Sequence, residues 1–135
     1  MSVDDDQPSE RVVLQRLHNR AMEALEDLTE GEDGVRRLGH GDYINGFFDT
    51  IDDDAPWRWR EWSTLTPAEV MALDSVQRLL LDACAETVHV RADEEFIAWG
   101  WPERIKPVAA SALELMRTRG RYREDREEDS PSISD

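Results

Sequence analysis

Apolar residues recur at three- and four-residue steps along three long stretches of the chain, the spacing that places them on one face of a helix. The first stretch runs from about Ser9 to Glu30, the second from Thr66 to about Thr87, and the third follows Pro107. The predicted buried stripes are Leu14, Leu17, Ala21, Leu25 and Leu28 in the first, Val70, Leu73, Val76, Leu80, Cys84 and Val88 in the second, and Val108, Ala109, Ala112, Leu113 and Met116 in the third.

Two shorter helices are predicted between the long ones. Asp42 is the expected N-cap of a helix that follows the glycine-rich connection 31–41. Gly46 inside this helix costs up to about 1 kcal/mol relative to alanine, which predicts that a neighbour packs closely against it. Asp93 opens a second short helical turn that ends at Gly100.

The strongest helix start signal is the sequence Thr66-Pro67-Ala68-Glu69. Threonine at the N-cap, proline at the first helical position and glutamate at the third form a capping box. We expect the helix that begins here to lie at the centre of the core.

Together the elements predict an all-α protein, a single compact bundle of four or five helices over residues 9–119. Residues 1–8 and the acidic tail 120–135 contain few apolar side chains. Both ends are therefore expected to be disordered, since they bury too little apolar surface to offset the entropy of ordering.

Charge narrows the range of partners. The chain has 31 acidic and 16 basic residues, a net charge of −15. Nucleic acid and anionic membranes are excluded as partners because they require clustered positive charge. A basic protein is the expected partner, and no cofactor is expected.

The remaining composition indicates a cytoplasmic bacterial protein. Fifteen of the sixteen basic residues are arginine, with Lys106 the exception, a bias typical of GC-rich bacterial genomes. The acidic N-terminus is unlike a signal peptide, and no apolar run approaches the length of a bilayer span. Cys84, the single cysteine, excludes an internal disulfide and is expected to be an unreactive core residue.

The negative charge is concentrated between Glu23 and Asp54, where eleven acids face two arginines. This segment allows three interpretations: a solvated surface, a docking patch for a cationic protein, or a calcium or magnesium site. The D-x-[DN]-x-[DN]-G spacing of an EF-hand loop is absent. The acidic residues of the docking hypothesis are Glu23, Glu26, Asp27, Glu30, Asp49, Asp52, Asp53 and Asp54.

Tryptophans follow the acidic run directly. Trp57, Trp59 and Trp62 alternate with Arg58 and Arg60. If exposed, the rings would give the docking patch an apolar anchor. If buried, they would close a loop over the core, and the arginines would pair with Asp52, Asp53 and Asp54. A second pair, Trp99 and Trp101, is expected to belong to the core or to a lid.

Recognisable catalytic chemistry is missing from the chain. No nucleophile elbow, zinc-protease motif, phosphate-binding loop or dinucleotide fingerprint is present, so no enzymatic activity is expected. Among the three histidines, only His40 combines a flexible setting with a nearby acid. Metal ligation and acid–base work stay open for it beside a purely structural role.

The C-terminal stretch D-E-E-F-I-A-W-G-W-P-E-R-I-K-P-V-A-A-S-A-L-E-L-M resembles the end of a family of small, acidic, helical actinobacterial proteins. The resemblance rests on a Trp-Pro turn followed by an alanine-rich helix and covers about a quarter of the chain. It implies a helical fold, and it assigns no functional residue.

The sequence thus predicts a non-catalytic interaction protein that docks a basic partner, with an immunity or antitoxin protein as its most concrete form. The alternative is a helical module that self-associates as a homodimer or binds a small ligand between its helices, its acidity serving solubility alone.

Overall fold

Six α-helices and one 3₁₀ turn make up the computed structural model, which describes residues 7–52 and 58–134. The helices are α1 (Glu10–Thr29), α2 (Glu32–Leu38), α3 (His40–Phe48), α4 (Pro67–Glu86), α5 (Asp93–Ala98) and α6 (Trp101–Arg119), and the 3₁₀ turn is Trp59–Glu61. The described ranges contain no named β-strand, which confirms the predicted all-α class. No helix in them is long and apolar enough to cross a membrane.

Helix α6 is the centre of the bundle. It packs along both α1 and α4, while α2, α3 and α5 cluster at the side of α1 and α6. Buried Ala109 and Ala112 on α6 let the neighbouring helices approach its backbone. The prediction that α4 is the central helix is therefore wrong, since α6 carries the broader buried face.

The predicted starts of α1 and α4 are confirmed. The Ser9 hydroxyl accepts a hydrogen bond from the Val12 N–H at 3.2 Å. The Thr66 hydroxyl accepts from the Glu69 N–H at 3.1 Å, and the Glu69 carboxylate accepts from the Thr66 N–H at 3.0 Å. These bonds satisfy amide groups that have no partner within the helix itself.

The glycine-rich connection is itself helical, which raises the helix count to six among the described residues. Gly31 and Gly39 have φ of 61° and 87°, a region that favours glycine, and between them the chain forms α2. Helix α3 then begins at His40, so Asp42 lies in its first turn and is not the N-cap.

Helix α6 begins six residues before Pro107. Trp101 and Pro102 form its first turn, and Pro107 lies inside the helix. Proline in a helix interior removes one backbone hydrogen bond. Burial of Trp101 and Ile105 on the same face of α6 holds the first turns in helical form despite that loss.

Three side-chain predictions on α3 and α4 are wrong. A Cβ added at Gly46 would meet nothing within 4 Å, so no neighbour packs there. Cys84 and Val88 are exposed, because the buried stripe of α4 continues through Ala83 instead. Partial burial nevertheless raises the pKa of the Cys84 thiol.

The tail differs most from expectation. Residues 120–134, expected to be disordered, lie against α1, and the Tyr122 side chain is buried. Polar side chains of α1 bind the main chain of the tail, which supplies the stabilisation that the tail's own apolar content could not. Residues 1–6 and 135 lie outside the described residues.

Candidate functional site

Three of the four first-helix acids are paired with arginines of the same chain. Arg37 binds Asp27 at 2.8 Å and also binds Glu30. Glu26 binds Arg121 and lies 3.8 Å from Arg117. These pairs bring residues of α2, α6 and the tail to one acidic face, and they reduce the charge that this face offers to a partner.

Glu23 is the exception on α1. Its side chain is exposed, and it forms no ion pair or hydrogen bond within residues 7–52 and 58–134. It is therefore the one first-helix acid of the docking hypothesis that keeps an unpaired carboxylate in the described structure.

The outer face of α3 carries two further acids without an ion pair. Asp42 and Asp49 are exposed and lie seven residues apart, two turns along the helix. The same face presents Gly41 just before Asp42, and Asn45 and Gly46 between the two aspartates, all exposed. We call these five residues the α3 face.

Neither carboxylate of the α3 face has a charged partner in the described ranges, and α3 contains no lysine or arginine. Asp52, half-buried, follows the helix and does have an interaction partner. Asp53 and Asp54, predicted to extend the acidic run, lie outside the described residues. The acidic surface that can be placed is therefore centred on α3 and not on the aspartate triplet.

Trp59 and Trp62 are buried in the core and present no apolar surface to a partner. The prediction that these two rings anchor a partner is therefore wrong, because both pack at the 3₁₀ turn against the bundle. Trp57 lies outside the described residues. Trp101 is also buried, as expected, whereas Trp99 is 57% exposed and does not belong to the core.

Arg60 holds the 3₁₀ turn to α4. Its guanidinium lies over the Trp59 ring at 4.3 Å, binds Asp74 at 2.6 Å and donates to the Gln77 side-chain oxygen at 2.6 Å. Asp74 also binds Arg78 at 2.8 Å. A cation stacked on a buried indole and bridged to a neighbouring helix stabilises the loop over the core.

His40 and Asp93 form a pair that the sequence did not predict. The Asp93 carboxylate accepts from the His40 backbone N–H at 2.9 Å and contacts the ring Nδ1 at 2.8 Å. These bonds lower the pKa of Asp93. The imidazole also stacks on Phe96, 5.8 Å between ring centres.

A carboxylate on Nδ1 fixes the proton there and leaves Nε2 as an acceptor, the arrangement of many metal-ligating and acid–base histidines. No group of three or more His, Cys, Asp or Glu side chains converges to hold a metal ion in the described part of the chain. The contacts seen here join the first turns of α3 and α5, a structural role.

A buried polar network, which the sequence analysis did not predict, lies between α1, the start of α4, the end of α6 and the tail. Its members are Gln15, His18, Asn19, Thr64, Glu69, Arg119 and Tyr122. The signal available was the polar set Gln15, His18 and Asn19 on one side of the α1 stripe, at helical spacing.

Asn19 determines which ring nitrogen of His18 carries a proton within this network. The Asn19 oxygen accepts from the Tyr122 N–H at 3.0 Å, while its amide nitrogen donates to the Tyr122 carbonyl at 2.8 Å. The His18 Nδ1, 3.2 Å from that same oxygen, must therefore be the donor. Burial is the main reason that the pKa of His18 lies below its usual value.

An open groove of about 640 Å³ runs between α4 and α6. Its lining is mostly apolar: Ala72, Ser75, Pro107, Val108, Ser111, Ala112 and Leu115. Met71, 73% exposed, precedes this lining on α4, and Leu115 is 37% exposed. The groove contains no titratable side chain and could take an apolar group.

The whole chain was compared with known protein families, sequences and structures. The resemblance of residues 93–116 to small actinobacterial proteins remains a prediction, because none of these comparisons tests it. No protein-family model, curated protein sequence or solved structure matches this chain.

Proposed function

We propose that this chain is a non-catalytic interaction protein that docks a basic protein partner through the α3 face. The observation that carries the proposal is the pair Asp42 and Asp49, exposed on one helix face without an intramolecular ion pair in the described ranges. Exposed Glu23 on neighbouring α1 adds to the same negative potential.

Charge supports a basic partner in particular. Most acids of the first helix are already paired within the chain, so the unpaired carboxylates on α3 dominate the charge available nearby. With a net charge of −15, the whole chain attracts a cationic partner over distances of about one Debye length, roughly 8–10 Å in physiological salt. Such complementarity mainly sets the association rate and the specificity of a complex.

The glycines support close docking. A Cβ at Gly41 or Gly46 would meet nothing within 4 Å, so packing inside the chain requires neither glycine. Each costs α3 up to about 1 kcal/mol relative to alanine. Because positions 41 and 46 carry no side chain, a partner's surface can lie close to the α3 backbone while its long basic side chains reach both carboxylates.

The most concrete form of this function is an immunity or antitoxin protein that neutralises a basic effector. An acidic helical surface can occupy the site at which such an effector binds phosphate groups. The buried tryptophans take no part in this form of the proposal, which rests on the α3 face alone.

The test is affinity capture from an extract of the source cell at low salt, followed by elution with salt. Three baits are compared: the unchanged chain, the double variant D42N/D49N, and the control D82N/E86Q. The control removes the same two charges from exposed positions on α4 that form no ion pair with described residues. The bound proteins are identified by mass spectrometry.

We expect a basic protein that the unchanged chain and D82N/E86Q both retain and that D42N/D49N loses by tenfold or more. Equal retention by all three baits would show that net charge alone, and not the α3 face, does the binding. Absence of any salt-eluted basic protein would contradict the proposal.

A second function is favoured by the groove between α4 and α6. Its apolar lining, together with exposed Met71 and Leu115, suits self-association into a homodimer. Sedimentation velocity separates this function from charge docking, because an apolar dimer persists at high ionic strength whereas a charge-docked complex dissociates. The variant L115E should abolish such a dimer, and a monomer at all salt concentrations would exclude it.

A further inference from the structure

Most hydrogen bonds that hold the tail 120–134 to α1 engage its main chain, beside the Arg121–Glu26 ion pair and a bond from Asn19 to the Glu124 carboxylate at 3.0 Å. Asn19 binds both the N–H and the carbonyl of Tyr122. Gln15 donates to two tail carbonyls, those of residues 123 and 126, and accepts from the N–H of residue 128. The spacing of Asn19 and Gln15 places both on one side of α1.

Arginines complete the same surface. Arg11 donates to the carbonyls of Glu128 and Asp129 at 2.8–3.2 Å, and Arg16 donates to the carbonyl of Glu124 at 2.9 Å. These bonds engage peptide groups and not side chains, so they would hold another polypeptide of the same path equally well. We call Arg11, Gln15, Arg16 and Asn19 the α1 groove residues.

One side chain anchors the tail. Tyr122 is the only buried side chain between residues 121 and 134. Its ring meets His18 edge to face at 4.9 Å, and Arg11 lies 5.3 Å above it. Its hydroxyl accepts from Arg119 at 3.2 Å. The site therefore takes an aromatic residue with a hydroxyl at one position and contacts mainly the main chain elsewhere, apart from the side chains of Arg121 and Glu124.

Charge favours an acidic segment at this surface. Arginines of α1 and α6 surround the tyrosine site in a chain that is otherwise strongly acidic. The tail that covers them carries five acids between residues 124 and 129. Removal of the tail would free the guanidinium groups of Arg11 and Arg16, which an acidic segment complements, while Arg119 keeps its ion pair with Glu69.

The tail is also poorly secured by apolar packing. Apart from Tyr122, the large apolar side chain of the tail is Ile133, and it is 43% exposed. It leaves α6 through Gly120, whose φ of 99° lies in the region that favours glycine. Segments with few buried apolar contacts open at a lower free energy than the core.

We propose that the α1 groove is a binding site for an acidic, tyrosine-bearing polypeptide segment, and that the chain's own tail occupies it as an exchangeable internal ligand. This site shares no residue with the α3 face, so its test is independent of the test of the docking function. A partner segment competes with a tail whose effective concentration is about millimolar, so binding in trans is masked until the tail is displaced.

Hydrogen exchange on the unchanged full-length chain tests whether the tail opens by itself. The amides of Tyr122 and Glu128, which donate to Asn19 and Gln15, should exchange at least tenfold faster than those of Ala21 and Leu25 in the core of α1. Exchange of all four at one common rate set by global unfolding would overturn the proposal, since the groove would then never be vacant.

Peptide binding tests the site itself. A fluorescent peptide of residues 119–134 is titrated onto the full-length chain and onto the full-length variant Y122A, which weakens the internal ligand. We expect the variant to bind the peptide at least tenfold more tightly than the unchanged chain, as measured by anisotropy. The same peptide with alanine at position 122 should bind at least tenfold more weakly.

A further variant, Y122A/N19A, serves as the matched control and should lose peptide binding. Equal affinity of the two peptides for Y122A would reduce the site to charge attraction and overturn the proposal. Equal affinity of the unchanged chain and Y122A would overturn it as well. If Y122A does not fold, the hydrogen-exchange result on the unchanged chain decides alone.

Discussion

Gly34 and Gly46 are both helical glycines, but their surroundings give them opposite roles in stability. A Cβ at Gly34 would lie 2.7 Å from the Asp27 carbonyl oxygen and 3.2 Å from the Tyr43 ring. A Cβ at Gly46 would meet nothing within 4 Å. Close packing of α2 against α1 and α3 therefore requires glycine at position 34 only.

We expect the variant G46A to raise the free energy of unfolding by about 1 kcal/mol, because alanine loses less conformational freedom in a helix. The matched variant G34A should lower it by about 1–3 kcal/mol through overpacking. Urea denaturation of the three proteins measures both effects. Stabilisation by G34A would contradict the packing described here.

His18 gives stability a dependence on pH. Burial lowers its pKa in the folded state, so the unfolded chain binds the proton first as the pH falls below about 6.5. Charged groups around it are Glu69 from α4, Arg119 from α6 and Arg121 from the tail. The contribution of His18 is fully present above the unfolded pKa and is lost as the pH falls toward the lowered folded pKa.

We therefore expect the free energy of unfolding to decrease from about pH 7 downward, with a slope from His18 of at most about 1.4 kcal/mol per pH unit. The variant H18Q should flatten the slope just below about pH 6.5, whereas H89Q, at an exposed position, should leave it unchanged. Denaturant melts at a series of pH values measure the slope. A profile for H18Q parallel to that of the unchanged chain would rule out His18 as the cause.

At the scale of helices, the start signals of α1 and α4 are confirmed, whereas those of α3 at Asp42 and of α6 at Pro107 are wrong. The capping box at Thr66 forms as predicted because all its groups lie within four residues. Pro107 predicts a helix boundary, yet α6 continues through it. Burial of Trp101 and Ile105 outweighs the local penalty, and burial is a property of the whole bundle.

Two exposed prolines, substituted in turn, test whether Pro107 carries the helical penalty that burial outweighs. Pro67 occupies the first turn of α4, where proline is favourable, whereas Pro107 lies inside α6. We expect P107A to raise the free energy of unfolding by about 1–3 kcal/mol by restoring a helical N–H donor, and P67A to lower it slightly. Thermal unfolding followed by circular dichroism compares the two. A loss of stability in P107A would mean that the ring's packing outweighs the missing hydrogen bond.

At the scale of the whole molecule, net charge opposes folding. With 31 acids and 16 basic residues, we expect repulsion in the compact state to exceed the attraction within its ion pairs. We expect the thermal midpoint to rise by a few degrees between about 10 mM and about 200 mM sodium chloride, as screening weakens the repulsion. The variant D42N/D49N should show a smaller rise, and a falling midpoint would show that internal pairs such as Arg37–Asp27 dominate.

Part of the candidate site was also predictable from the sequence. The concentration of acids around α3 and the exposure of Asp49 follow from composition and helical periodicity. The pairing of Glu26 with Arg121 and of His40 with Asp93 joins residues 95 and 53 positions apart. No periodicity connects such positions, so the division of acids into paired and unpaired ones was not predictable.

The sequence by itself determined the all-α class, the starts of α1 and α4 and the acidic character of the molecule, because each depends on neighbours within a few residues or on composition alone. Only the tertiary structure decided that Trp59 and Trp62 are buried, that α6 is the central helix and that the tail lies along α1. Burial and main-chain pairing of a distant segment depend on which faces meet, and that is settled when the helices pack together.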